Sequence, residues 1–248
     1  MKTLASFCLL ALSLPAFAAD PTPIEKSIAG PERTPADRER DAREKPAEVL
    51  AFAAVKPGMV VADIMAGGGY YTELLSGVVG DGGKVLSINN VPYAQYAKDG
   101  IKARFTEGRL KNVEHRLVEL SYMRVAPKSV DLAIIIMSYH DAYWIDENEG
   151  WPEVNTDAFV ESIKHMLKPG GKLLIVDHNA APGTGREMAG KLHRLNEDWA
   201  KKSLTSHGFI FEKSYDGLRN KDDTLDKHVY DPAIKGKTDR YVQLYRVK

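Results

Sequence analysis

The chain has 248 residues, 44% hydrophobic and 27% charged, with 34 basic side chains against 34 acidic ones. This length and composition suit one soluble α/β domain with a substantial core. The balanced charge excludes a strongly basic surface, so neither nucleic acid nor anionic membrane is an expected partner.

Lys2, the apolar run from Leu4 to Leu14 and the close Ala16-Phe17-Ala18 form the three-part pattern of a secretory signal peptide over residues 1–18. Export to the periplasm or the medium is therefore expected. The apolar run is too short to span a bilayer, and no transmembrane segment is expected in the mature chain. Cleavage would remove Cys8, the only cysteine, and leave no thiol for disulfide or thiolate chemistry.

Residues 19–33 read as a linker, and 34–248 as a single domain with a helical cover at its start. Thr34-Pro35 supplies an N-cap and a first-turn proline, with Asp37 just inside. A polar helix over 37–44 is interrupted by Pro46, which opens a second helix through Val49, Leu50 and Phe52. Strands and helices then alternate. Strand 59–65 precedes helix 71–79, which is closed by Gly80-Asp81-Gly82-Gly83. Strand 85–88 is followed by a helix over 93–105 and by strands 113–120 and 130–137. Helix 156–167 is stopped by Lys168-Pro169-Gly170-Gly171, ahead of strand 173–176. A helix over 186–204 and strands 209–214 and 240–246 finish the chain. The run 130–137 is almost wholly apolar, as a parallel strand covered on both faces requires. The spacing predicts an α/β, Rossmann-like, doubly wound and mostly parallel seven-stranded sheet. Ligands of such sheets lie beyond the carboxyl ends of the strands, near the switch in strand order.

Ala66-Gly67-Gly68-Gly69 follows strand 59–65 and precedes a helix. Glycine lets the backbone turn sharply and approach a ligand closely, and the helix N-terminus beyond accepts an anionic group. With Asp63 before the glycines, a strand ending at Asn89, and Leu167-Lys168-Pro169-Gly170-Gly171 before the fifth strand, the chain resembles class I methyltransferases dependent on S-adenosyl-L-methionine. It is most similar to a group of exported ones sharing Lys45-Pro46-Ala47-Glu48-Val49-Leu50, Ala66-Gly67-Gly68-Gly69-Tyr70-Tyr71-Thr72 and Gly236-Lys237-Thr238-Asp239-Arg240.

The resemblance implies a cofactor, S-adenosyl-L-methionine, and an antiparallel last strand beside the fifth. It implies that Asp63, Ala66, Gly67 and Gly69 surround the methionine part. Asn89 falls where the family holds the ribose hydroxyls, and Glu119 where a carboxylate meets the adenine amino group. Ser138 and Tyr139 fall on the methyl-transfer face. Two departures stand out: Met65 replaces the usual first glycine, and Asn89 lacks the charge of the usual acid.

Methyl transfer needs alignment and, for a hydroxyl acceptor, a base. His140 is the candidate base, with Asp141 or Asp177 to orient it; the alternative is that His140 caps the strand end. Tyr139, Tyr143, Trp144 and Trp151 are candidates for an aromatic wall, or for ordinary packing. Asp141, Asp177 and Asn179 resemble the magnesium set of catechol-type O-methyltransferases, but the rest of that pattern is missing and a metal-free site is expected. His140 and His178 have no diagnostic metal spacing. The expected acceptor is a small molecule, with a non-catalytic exported binding module as the competing reading.

Overall fold

The computed structural model describes residues 20–105 and 108–248. The signal-peptide reading of 1–18 falls outside them. Among the described residues no helix is long and apolar enough to cross a membrane.

Seven strands form one sheet: β1 (Val60–Ile64), β2 (Lys84–Asn89), β3 (Val113–Leu117), β4 (Val130–Ile136), β5 (Leu167–His178), β6 (Ile210–Ser214) and β7 (Arg240–Arg246). Their order is β3-β2-β1-β4-β5-β7-β6. β1 to β5 pair in parallel, and β7 runs antiparallel to both β5 and β6. The antiparallel insertion of 240–246 beside the fifth strand is thus as expected.

Side chains alternate across the sheet. Ala62, Ile64, Ala133, Ile135, Leu173 and Ile175 meet Phe159, Val160 and Ile163 of α7 (Thr156–Met166) on one face. Val61, Val85, Leu132, Ile134 and Leu174 face Val49 and Leu50 of α3 (Pro46–Phe52), and Leu74, Leu75 and Val78 of α4 (Tyr70–Val79), on the other. Both faces of β1 and β4 are therefore covered, which explains their near-continuous apolar runs.

Four segments differ from expectation. β5 begins at Leu167 and takes in Lys168-Pro169-Gly170-Gly171, expected to lie between helix and strand. The supposed linker contains a helix, α1 (Pro23–Ile28), opened by a reciprocal capping box between Thr22 and Glu25 and by Pro23 in its first turn. Ser27 Oγ donates to Leu74 O at 2.7 Å, which docks α1 on α4. The helix expected over 93–105 divides into α5 (Val91–Tyr96) and α6 (Lys98–Arg104). That expected over 186–204 divides into α8 (Glu187–Leu192) and α9 (Glu197–Ser206). Asn196 caps α9 by accepting from Asp198 N and Trp199 N, while His193 takes a left-handed φ of 52°. A capping side chain and one left-handed residue are enough to end a helix and start another.

Candidate functional site

The carboxyl ends of β1, β2, β4 and β5 meet where the strand order reverses direction around β1. The loop after β1 turns through Met65 (φ 53°), Gly67 (φ 56°) and Gly69 (φ 81°). Met65 therefore bears the left-handed strain of a non-glycine residue, held by burial of its side chain in the core. Ala66 N–H donates to Ile88 O at 3.1 Å, tying the loop to β2.

Asp63 lies beneath the loop. Its Oδ2 accepts from Thr72 Oγ1 at 2.6 Å, and the residue is buried. Burial pushes its carboxyl up to about 7, against the hydrogen bond from Thr72 and the charge of Arg40. Folding thus holds on this carboxyl a proton that the unfolded chain releases above about 3.8. Its contribution to stability is full below that pH and is lost as pH rises through about 7. Asp63→Asn is expected to flatten the fall in stability between pH 4 and 8, measured by urea denaturation across that range; an unchanged profile would mean Asp63 is ionised when folded.

Asn89, fully buried, does not point at open space. Its Oδ1 accepts from Gly67 N–H at 2.9 Å and its Nδ2 donates to Gly67 O at 3.0 Å. An amide offers both a donor and an acceptor to one peptide, whereas the carboxylate usual here offers only acceptors. The departure at position 89 therefore serves the loop. Glu119 is exposed at the rim of a cleft of about 240 Å³ that it shares with Asn90, Pro92 and Ser121. Ser138 Oγ is buried without a well-formed hydrogen bond among the described residues, and the Tyr93 hydroxyl is near enough to interact with it. Tyr139 turns away: it is fully buried in the core and its hydroxyl meets Tyr143 OH at 2.9 Å. It is not brought together with the loop.

The expected aromatic wall divides. Trp144 and Trp151 pack on each other, with centroids 4.7 Å apart, and Tyr93 meets Trp151 edge-on at 5.5 Å. Tyr139 and Tyr143 pack with each other, and Tyr143 meets Trp199, inside the domain.

α5 and α6 cover the glycine loop. Tyr93, whose backbone N–H is capped by Asn90 Oδ1, donates from its hydroxyl to Asp141 Oδ2 at 3.0 Å. A Cβ on Gly67 would lie 3.6 Å from the Tyr93 ring. Tyr93 thus bridges the loop after β1 to the turn after β4. A Cβ on Gly68 would come within 3.2 Å of Gly100 Cα, and only glycine at both positions permits this approach. Arg104 anchors α6 by ion pairs to Glu73 and to Asp37 of α2 (Pro35–Glu44).

After β4, Met137 is again left-handed (φ 54°) and a tight 3-10 turn, His140–Tyr143, carries the polar cluster. His140 Nδ1 meets Asp177 Oδ1 at 2.7 Å, its backbone N–H donates to Asp177 Oδ2 at 2.8 Å, and its Nε2 lies 3.2 Å from Asp141 Oδ1. His193 Nδ1 lies 3.3 Å from the same Asp141 oxygen. Burial alone would lower the His140 pKa, but Asp141 and Asp177 outweigh it and raise it to about 10. A general base must be neutral at working pH. Both carboxylates favour the protonated ring, which opposes the expected role of His140 as a base. The magnesium trio is not assembled either. Asp177 is spent on His140 and on His178 N–H, and Asn179 on Asp239 and Glu197 N–H.

The motif at 236–240 organises the end of β5. Thr238 Oγ1 meets His178 Nδ1 at 2.7 Å, Asp239 holds Asn179, and Arg240 pairs with Glu44 at 2.7 Å. Arg40 lies over the Tyr70 ring, 4.1 Å from its centroid. The sequence places His193 on the late helix, facing either the site or solvent; the structure brings it to within 3.3 Å of Asp141.

The strand order, the antiparallel β7 and the glycine loop after β1 define a class I methyltransferase fold. No model of a known protein family matches the chain. It is 24% identical to the ubiquinone/menaquinone biosynthesis C-methyltransferase UbiE of Shewanella frigidimarina, over 75% of this chain and 66% of that protein. It is 30% identical to the arsenite methyltransferase of Halobacterium salinarum, over 51% of this chain and 29% of that protein. The matched region thus spans about two thirds of one relative and under a third of the other. A solved structure of an S-adenosylmethionine-dependent methyltransferase from Aquifex aeolicus superposes with a TM-score of 0.57 at 21% identity, covering 90% of this chain and 98% of that one.

Proposed function

We propose that the chain transfers a methyl group from S-adenosyl-L-methionine to a small-molecule acceptor. The observation that carries this reading is the glycine loop after β1, at the switch point of a class I methyltransferase sheet, with Gly67 and Gly69 left-handed. The residues present fit the cofactor's polar groups: the Ser138 hydroxyl is buried just after β4, and the Glu119 carboxylate is exposed at the rim of the cleft beyond β3.

In this reading Ala66, Gly67 and Gly69 admit the ligand close to the main chain, Glu119 accepts from the adenine amino group, and Ser138 donates into the groove. Asp63 and Asn89 shape the loop from beneath. The cofactor supplies a methyl group on a sulfonium, already reactive, so alignment is the main task of the protein. His140 and Asp141 stand at the acceptor end as a charged pair that orients the acceptor's polar group.

The signal-peptide pattern of residues 1–18 supports export as part of the proposal. A second reading, an exported binding module without transfer, is favoured by Tyr93 crossing the groove and by the engagement of Asn89 with Gly67.

The test is a calorimetric titration, with S-adenosyl-L-methionine and S-adenosylhomocysteine, of protein recovered from the envelope or medium of expressing cells. Binding near 1 μM, about −8 kcal/mol, is expected. Gly67→Val places a β-branched residue at φ 56° and is expected to weaken binding at least about tenfold. No heat of binding would leave the binding-module reading. Recovery only from the cytosol with residues 1–18 intact would refute export.

A further inference from the structure

We propose that His140, Asp141 and His193 form a binding site for a divalent first-row transition metal ion. The three side chains each offer one ligand atom, and these atoms all lie within 4.8 Å of one another. The Asp141 Oδ1 atom lies 3.2 Å from His140 Nε2 and 3.3 Å from His193 Nδ1. Around an ion with bonds of about 2.1 Å, neighbouring ligand atoms sit about 3.0 Å apart in octahedral geometry and about 3.4 Å in tetrahedral geometry. Both separations from Asp141 fall in that interval, and the two imidazole nitrogens, within 4.8 Å of each other, close on the ion as it binds.

The surroundings are those of a metal centre in three independent respects. First, the ligating histidine has its other nitrogen fixed by a carboxylate: Asp177 takes His140 Nδ1 at 2.7 Å and is itself held by two backbone N–H groups. This carboxylate–histidine relay sets the tautomer and aims Nε2 at the ion. Second, the free oxygen of Asp141 is held by the Tyr93 hydroxyl at 3.0 Å, which leaves Oδ1 for the ion. Third, the position of His193 is fixed: it is the left-handed C-cap of α8 at φ 52°, and Arg194 beside it is locked by a buried ion pair.

The donor set decides the class of metal. Two imidazoles and one carboxylate suit zinc, iron, cobalt or nickel; magnesium and calcium prefer all-oxygen ligands. Binding would displace the proton that His140 Nε2 shares with Asp141, as metal binding to protonated ligands does. A further imidazole stands at the rim: the His228 ring centre is 4.9 Å from that of His193, and its Nδ1 accepts from Tyr230 N–H at 3.3 Å, which leaves Nε2 available. Asp141 and His193 each retain 9% exposure, and His228 is half-buried, so an ion has an approach from that side. The inference stands apart from the methyl-transfer reading, because it concerns the protein without cofactor.

The experiment uses the full folded chain, stripped with chelator and titrated with Zn2+ by calorimetry and with Co2+ by visible absorption. One ion per chain is expected, with a Co2+ d–d band that Zn2+ abolishes. Asp141→Asn and His193→Gln, chosen to keep size and hydrogen bonding, are expected to weaken Zn2+ binding at least a hundredfold. Asp177→Asn is expected to weaken it about tenfold to a hundredfold through the orientation of His140. His165→Ala, at an exposed position on α7, is expected to change nothing. Circular dichroism and melting temperature establish that each variant is folded. Absence of stoichiometric binding in the wild-type chain, or full-strength binding in folded Asp141→Asn and His193→Gln, overturns the proposal. Because no S-adenosyl ligand is present, failure here leaves the methyl-transfer reading untouched, and the reverse holds too.

Discussion

Arg194→Ala is expected to cost about 3–5 kcal/mol of unfolding free energy, the scale for stripping one partner from a buried ion pair. Arg194 is fully buried, and every donor it uses has an acceptor. Nη1 and Nη2 fork onto Asp223 at 2.8 and 3.1 Å, Nη1 also donates to Asn179 O at 2.9 Å, and Nε donates to Lys227 O at 2.8 Å. One guanidinium thus joins the end of β5, the turn before α9 and the long loop ahead of β7. Asp223 has a second duty, accepting from Asp239 N–H at 2.7 Å, so alanine at 194 strands a buried carboxylate in the middle of that junction. Arg194→Lys keeps the charge but lacks the fork, and an intermediate loss is expected. Urea denaturation of the three proteins measures this directly. A loss below about 1 kcal/mol for Arg194→Ala would mean that the loop rearranges freely and that Arg194 does not hold it.

Much of this architecture is readable along the chain because burial on two faces leaves an unmistakable trace. Val130 to Ile136 is nearly all apolar, and it proves to be β4, the inner strand between β1 and β5. What escaped detection depended on small local signals or on distance. The Thr22 and Glu25 pair is a capping box standing three residues apart in the supposed linker, visible in principle and outweighed by its polar surroundings. The break at His193 has no glycine or proline to announce it; Asn196 does the work as a cap. The glycine turn after β1 was legible because spacing along one strand–turn–helix unit suffices. The role of Asn89 was not, since whether an amide faces a ribose or the peptide of Gly67 is decided by tenths of an ångström in a folded loop. His140 was legible as a titratable group at the strand end, but its proton affinity is raised by Asp141 beside it and by Asp177, which is 37 residues away and reached only by folding. The cluster with His193 and His228 is wholly a product of folding, assembled from the turn after β4, the junction between α8 and α9, and the loop before β7.

Tyr93→Phe is expected to tighten binding of S-adenosylhomocysteine roughly tenfold, and Tyr93→Ala further, to as much as about a hundredfold. The Tyr93 hydroxyl bridges to Asp141, and its ring lies against Gly67 of the loop after β1. A ligand lying along the loop must displace that ring, so its apparent affinity is reduced by the fraction of molecules in which α5 has moved aside. A hydrogen bond to a charged acceptor contributes about 1.5–3 kcal/mol, which is a factor of roughly ten to a hundred in that fraction. Phenylalanine removes the bond and keeps the ring; alanine removes both. Rigidity elsewhere in the cover confines the motion to this end. Arg104 is fixed by Asp37 and Glu73, and Gly100 rests on Gly68, so the hinge falls between α5 and α6 near Ala97. Calorimetric titration of the three proteins decides the matter. If both variants bind more weakly than the wild-type chain, Tyr93 serves the ligand as a contact, and the closed groove is the form in which the cofactor is held.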